Sequence, residues 1–130
     1  MALERRSQIF SGSTYETEIG YARAVVSGEW IFVSGCTGFD YATMTIAEDV
    51  AAQCGQTLRN ITWALGEADA TLADVVRVTY LLPNAADFPP CWPVLREAFA
   101  AAPPAATMMV VGLTDPRMKI EIEVTARVSR

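Results

Sequence analysis

Two glutamates, Glu121 and Glu123, stand one residue apart in a run that alternates apolar and polar side chains. Ile120, Ile122, Val124, Ala126 and Val128 share one parity; Lys119, Glu121, Glu123, Thr125 and Arg127 share the other. A period of two over that length predicts a strand with one buried and one polar face, so both carboxylates project from the same side, about 7 Å apart. As solvated strand charges beside Lys119 and Arg127 they would do no chemistry. Set in a cleft, one of them could hold a water or take a proton from it. The other reactive side chains narrow the choice. The chain has no histidine, which excludes Ser–His and Cys–His dyads and any zinc site built on imidazole. What remains is carboxylates, backbone amides, hydroxyls, thiols and arginine. Cys36 follows Ser34-Gly35 at a strand end, a position expected at the mouth of a cleft, but no neighbouring base or cation is visible to lower its pKa. Cys54 falls on an apolar helical stripe and reads as core, and Cys91 has no evident task. Arg23, Arg77 and Arg117 read as surface charges, the less favoured alternative being that one of them grips an anion in the cleft.

The 130 residues are expected to form one domain, spanning 1–130, that buries a core without staples. Hydrophobic residues make up 52% and the net charge is −5 with no basic run, which argues against a nucleic-acid partner. No apolar stretch approaches the ~20 residues needed to cross a bilayer. The N-terminal MALERRSQIF has no apolar core or small-residue cleavage site and reads as lacking a signal peptide. An odd number of widely spaced cysteines then fits free thiols in a reducing cytoplasm. No metal and no cofactor are expected.

The elements that must position these groups follow in order. Gln8–Phe10 reads as a short edge strand, followed by a polar turn at Ser11–Thr14. Ala22–Val26 and Trp30–Ser34 flank Ser27-Gly28-Glu29, a compact hairpin signal. Trp30–Val33 is apolar at both parities and predicts a central strand covered on both sides. It ends at Ser34-Gly35-Cys36-Thr37-Gly38, where glycine lets the backbone turn or lets another group come close. Thr45-Ile-Ala-Glu48 matches a capping box. Behind it Val50, Cys54, Leu58, Ile61, Leu65 and Ala68 form one helical stripe, with Gln53, Gln56, Arg59, Asn60 and Glu67 off it. Val75–Leu82 is a second buried strand. A shorter helix beginning after Asp87 carries Phe88, Trp92, Leu95 and Phe99 on one face, its prolines confined to the first turn. Thr107–Leu113 is a further strand, and Leu113–Arg117 supplies the turn into the carboxylate strand. The fold class expected is α+β, a mixed sheet with two helices on one face. The other face lacks cover within the chain, which predicts a homo-oligomer closing sheet on sheet.

Taken together these segments resemble the Rid family (YjgF/YER057c/UK114, endoribonuclease L-PSP-like). The resemblance rests on Ile19-Gly20-Tyr21, Ile31-Phe-Val-Ser34-Gly35, the Gln56–Ile61 helix, Asp74–Thr79, Pro104-Ala105 and Ile120-Glu-Ile-Glu123, and covers about Gly20 to Arg127. It implies a chorismate-mutase-like fold and a homotrimer with a central sheet barrel and small-molecule clefts between subunits. It also implies cofactor-free hydrolysis of a reactive imine or enamine, such as 2-aminoacrylate, to a keto compound and ammonia. By this resemblance Glu121 holds the attacking water. Tyr21, Ser34, Gly35, Cys36, Ala106, Thr107 and Met108 form the substrate-binding set. The family's carboxylate-gripping arginine after Pro-Ala is absent: Ala106 stands there. A lost bidentate pair of that kind is worth on the order of 1.5–3 kcal/mol, so 2-aminoacrylate is not the expected substrate and the chain fits a divergent subgroup. The alternative is a small-molecule-binding or regulatory trimer without catalysis. A ribonuclease role is disfavoured by the acidic charge and the absent histidine.

Overall fold

The computed structural model describes residues 6–129; residues 1–5, on which the N-terminal reading partly rests, lie outside the described residues. Strands β1 (Arg6–Ile9), β2 (Ala24–Ser27) and β3 (Trp30–Thr37) form an antiparallel meander. β2 and β3 turn through Gly28-Glu29, with Gly28 at φ 59°, the left-handed geometry that two-residue hairpins require. β8 (Glu121–Arg127) pairs antiparallel with β3 on one side and with β6 (Val75–Leu82) on the other. β6 pairs parallel with β7 (Ala105–Val110), giving one mixed sheet in the order β1-β2-β3-β8-β6-β7. A two-stranded ribbon joins β4 (Phe39–Asp40) and β5 (Thr45–Ile46).

Among the described residues three α-helices accompany the sheet: α1 (Thr14–Ile19), α2 (Val50–Glu67) and α3 (Trp92–Phe99). The short α1 overlaps the expected turn only at Thr14 and otherwise falls in a stretch with no expected element. Six residues carry too little periodicity to be read, and the signal is local: Ser13 caps it by accepting from the Tyr15 amide at 3.2 Å, and Gly20 closes it at φ 96°. The stripe predicted on α2 is buried throughout, Val50 to Ala68. Its start differs from the expectation, because Thr45-Ile46 pairs as β5 and the cap is Asp49, whose carboxylate accepts from Ala52 N at 2.9 Å. Gln53, expected off the stripe, is fully buried. Its amide donates to the carbonyls of Ala47 (2.7 Å) and Arg117 (2.9 Å) and accepts from Lys119 N (2.9 Å). A buried amide with those partners satisfied is a polar rivet, not an error of patterning. Asn60, also on α2, donates to the carbonyls of Thr37 and Phe39 at 2.9 and 2.8 Å. α3 is preceded by a 3₁₀ turn at Pro89–Cys91, which takes up the proline-rich stretch; Leu95 and Phe99 are buried and Trp92 is half exposed.

The core lies between α2, α3 and the sheet face carrying Ile31, Val33, Val78, Tyr80, Ile122, Val124 and Ala126. The opposite face carries Trp30 and Phe32, 43% and 48% exposed. Trp30–Val33 is therefore covered on one side only within the chain. β3 and β8 lose register between Val33 and Cys36: Val33 pairs with Val124, Cys36 with Ile122. Three steps along β3 match two along β8, so one extra residue bulges at Ser34-Gly35.

A candidate active site around Glu121

The bulge decides which side chains meet. Without it Cys36 would share the parity of Phe32 and Ser34 and face outward. The extra residue turns Cys36 into the core, fully buried, and leaves Ser34 and Gly35 on the side of Glu121. Cys36 is therefore not at the cleft mouth. Burial pushes its thiol up to about 11 against the opposing charge of Arg23, so it stays protonated and unreactive.

Glu121, partly buried at the start of β8, lies directly over Gly35: a Cβ there would come within 2.7 Å of the Glu121 Cδ. A side chain at 35 would displace the carboxylate, so glycine here lets Glu121 keep this position. The carboxylate lines a pocket of ≈ 270 Å³ together with Tyr21, Arg23, Ser34, Tyr41 and Thr114. Burial raises its pKa, and the nearby Glu123 charge raises it further, while Arg23 pulls the other way.

Arg23 corrects the sequence reading most sharply. It is 1% exposed, not a surface charge. Its Nε pairs with the buried Glu16 at 3.2 Å, Nη1 donates to the Gly35 carbonyl at 2.8 Å and Nη2 to the Tyr21 hydroxyl at 3.1 Å. The guanidinium also stacks 4.5 Å above the Tyr41 ring. Glu16 is satisfied in turn by the Ser11 amide at 2.9 Å and the Ser11 hydroxyl. A buried ion pair persists only when its remaining lone pairs and protons find partners, and here they do. Its consequence is positional: one guanidinium ties the Gly35 carbonyl, Tyr21 and α1 into a rigid floor beneath Glu121. Ser34 is fixed as well, its hydroxyl donating to the Ala22 carbonyl at 2.7 Å. Arg77 and Arg117 are exposed, Arg117 paired with Asp115 at 2.8 Å.

The structure thus brings Tyr21, Ser34, Gly35 and Glu121 together. Ala106, Thr107 and Met108 lie on the exposed edge strand β7, two strands from Glu121, and do not line its pocket within one chain. Thr107 pairs with Thr79 across β6 and β7 and accepts at its hydroxyl from Arg77 Nη1 at 3.4 Å. Residues missed by sequence reasoning are Glu16, Tyr15, Tyr41, Thr114 and Met118, while Arg23 was weighed but placed at the surface. The one signal for Arg23 was its place between two alanines in an apolar run; its partner Glu16 was hidden by the unread helix. Among the described residues, no three His, Cys, Asp or Glu side chains are placed to hold a metal ion, and no helix is long and apolar enough to cross a membrane.

Comparison with known proteins gives the geometry a lineage. The family model described as Endoribonuclease L-PSP matches residues 12–128. Rv2704 of Mycobacterium tuberculosis, a solved member of the YjgF/YER057c/UK114 family, is 38% identical, with a TM-score of 0.87 over 95% of this chain and 100% of that one. A RutC family protein of Pyrococcus abyssi is 35% identical over 107 residues, 82% of this chain and 84% of that protein. A Bos taurus protein named 2-iminobutanoate/2-iminopropanoate deaminase is 31% identical over 121 residues, covering 92% and 88% respectively. With the α+β sheet and its bulge already in place, these matches make the chain a member of the endoribonuclease L-PSP (YjgF/YER057c/UK114, Rid) family.

Proposed function

We propose that this chain hydrolyses a small reactive imine or enamine without a cofactor, with Glu121 holding the attacking water. The observation that carries this reading is Glu121 itself: a carboxylate of raised pKa, packed on Gly35 in a pocket sized for a small molecule. Relatives about 31% identical that are named imine deaminases support the same reaction class. The steps balance simply. Ionised Glu121 takes a proton from water as its oxygen bonds to the imine carbon and passes that proton to the nitrogen, giving a carbinolamine; Glu121 then takes the carbinolamine hydroxyl proton and delivers it to the nitrogen as the carbon–nitrogen bond breaks and the carbonyl forms. Imine and water become carbonyl compound and ammonia.

The working unit proposed is a homotrimer, supported by the exposed Trp30 and Phe32 on the sheet face that no helix covers. In such an assembly the edge strand of one subunit would complete the cleft of another. Because Ala106 carries no cation, we propose that 2-aminoacrylate is a poor substrate. The same alanine favours a second reading, a binding trimer without catalysis. A panel of freshly generated imines, with and without carboxylates, tests both. Ammonia release abolished by Glu121→Gln supports the hydrolase; ligand binding without turnover of any imine supports the binder.

A further inference from the structure

The pocket of Glu121 is furnished to accept hydrogen bonds and positive charge. Three of its hydroxyls already direct their hydrogens elsewhere: Ser34 to the Ala22 carbonyl at 2.7 Å, Thr114 to the Met118 sulfur at 3.6 Å and Tyr15 to Asp115 at 3.5 Å. Their oxygens retain lone pairs for a donor. Arg23 is the only cation in the lining, and it is occupied. Its charge is matched by Glu16, and its outer nitrogens are engaged by the Gly35 carbonyl, the Cys36 sulfur and the Tyr21 hydroxyl. Arg117, nearby, is paired with Asp115. The two glutamates of β8 differ: among the described residues neither Glu121 nor Glu123 has a cation within ion-pair distance. The edge strand β7, proposed above to complete the cleft, carries no charged side chain from Ala105 to Val110. Arg96, on the exposed side of α3, lines a separate groove on the helix side of the sheet.

We propose that this pocket takes a cation bearing N–H donors, an iminium on a hydrocarbon body that carries no carboxylate. The proposal rests on the role given to Glu121 above and names the class of imine it would act on. The nitrogen would donate to Glu121, Ser34 and Thr114, and the body would lie on Ile19, Met118 and the tyrosine rings. Charge-assisted hydrogen bonds of this kind are the strong ones. A carboxylate would instead meet Glu121 as a like charge, with no unoccupied cation in the lining to offset it. Hydrolysis preserves the charge: iminium and water give a carbonyl compound and ammonium, so the product nitrogen leaves Glu121 as a cation. Burial and Glu123 hold the Glu121 pKa up; a bound cation would pull it down and keep the base ionised when substrate is present.

Benzamidinium is a planar, stable stand-in for an aryl iminium, and benzamide is its neutral isostere. Isothermal titration of the purified full chain should show saturable binding of benzamidinium, at least ~10-fold tighter than that of benzamide, the worth of one charge-assisted contact. Glu121→Gln should erase this preference, and Glu123→Gln should reduce it less. Arg96→Gln should leave it unchanged. Both glutamine variants on β8 keep the side-chain size, and thermal melts check that each is folded. Equal affinity for the two ligands would overturn the proposal. So would a preference that survives Glu121→Gln, or one that emerges only in Arg96→Gln. Ammonia release from freshly generated imines is read separately. A benzamidinium preference without release from any imine would remove the hydrolase and leave the cation site standing. Release confined to imines that carry a carboxylate, with no benzamidinium preference, would do the reverse.

Discussion

At the scale of single residues, Glu121 works under opposed influences, and its titration follows from them. Burial and Glu123 raise its pKa while Arg23 lowers it. A base must be ionised, so activity should fall as pH drops through this raised value, above that of a free glutamate. Glu121→Gln keeps size and hydrogen bonding and should cost ~10²–10⁴-fold in rate. Glu123→Gln should move the acidic limb of the profile downward with a much smaller loss; an unmoved limb would show that the titrating group is not Glu121. The stability consequence has the opposite sense. A carboxyl whose folded pKa is raised binds its proton more tightly folded than unfolded, so the stability it lends is present at low pH and lost as pH rises through that value. Thermal melts should therefore find Glu121→Gln at least as stable as the parent at pH 7, with the difference shrinking towards pH 4. Gly35→Ala provides an independent check. Its methyl group would displace the carboxylate, so activity should drop ~10²-fold or more although the titratable group remains, as expected when a reacting group is misplaced by about 1 Å.

At the scale of elements, what was legible depended on the range of the physics. β6, the α2 stripe and the alternation of β8 were readable because each is a periodic pattern of local hydrophobicity, and all three are in place. What escaped was set by partners distant in sequence. The bulge at Ser34-Gly35 reversed the parity of β3 and sent Cys36 inward; only the register against β8 reveals it. The start of α2 moved because β5 found β4. Gln53 and Arg23 looked like surface residues because their partners, Arg117, Lys119 and Glu16, lie 64, 66 and 7 positions away. Tyr21, Ser34, Gly35 and Glu121, four of the eleven residues lining the pocket, were nameable in advance; its charged floor was not. Gln53 binds α2 to the segment leading into Glu121, so Gln53→Leu should matter at both ends. Leaving the Lys119 amide and two carbonyls short of partners should cost at least about 3 kcal/mol, at the ~1–3 kcal/mol each that unsatisfied buried groups carry. Calorimetry should show the lowered Tm, and activity measured well below that Tm should fall as Glu121 loses its register.

At the scale of the whole molecule, the sheet faces make contrasting demands. One is sealed by α2 and α3; the other presents Trp30 and Phe32 to solvent, an arrangement that favours association of copies. Light scattering should give three times the 14.1 kDa chain mass, and Phe32→Glu should shift the protein to a monomer. A stable monomer from the parent chain would remove the trimer and the shared cleft together. The burial of all three cysteines, each 0% exposed, makes the chain its own stopwatch. A coloured disulfide reagent should find no target in the native protein and three once the fold opens, so dye release in dilute denaturant would count openings of the core directly. Cys36 borders the bulge, whereas Cys54 sits on the buried side of α2 and Cys91 ends the 3₁₀ turn before α3. Labelling in two phases would reveal that the end of the sheet beside Glu121 breathes apart from the helical layer; a single phase would mean that the layers open as one.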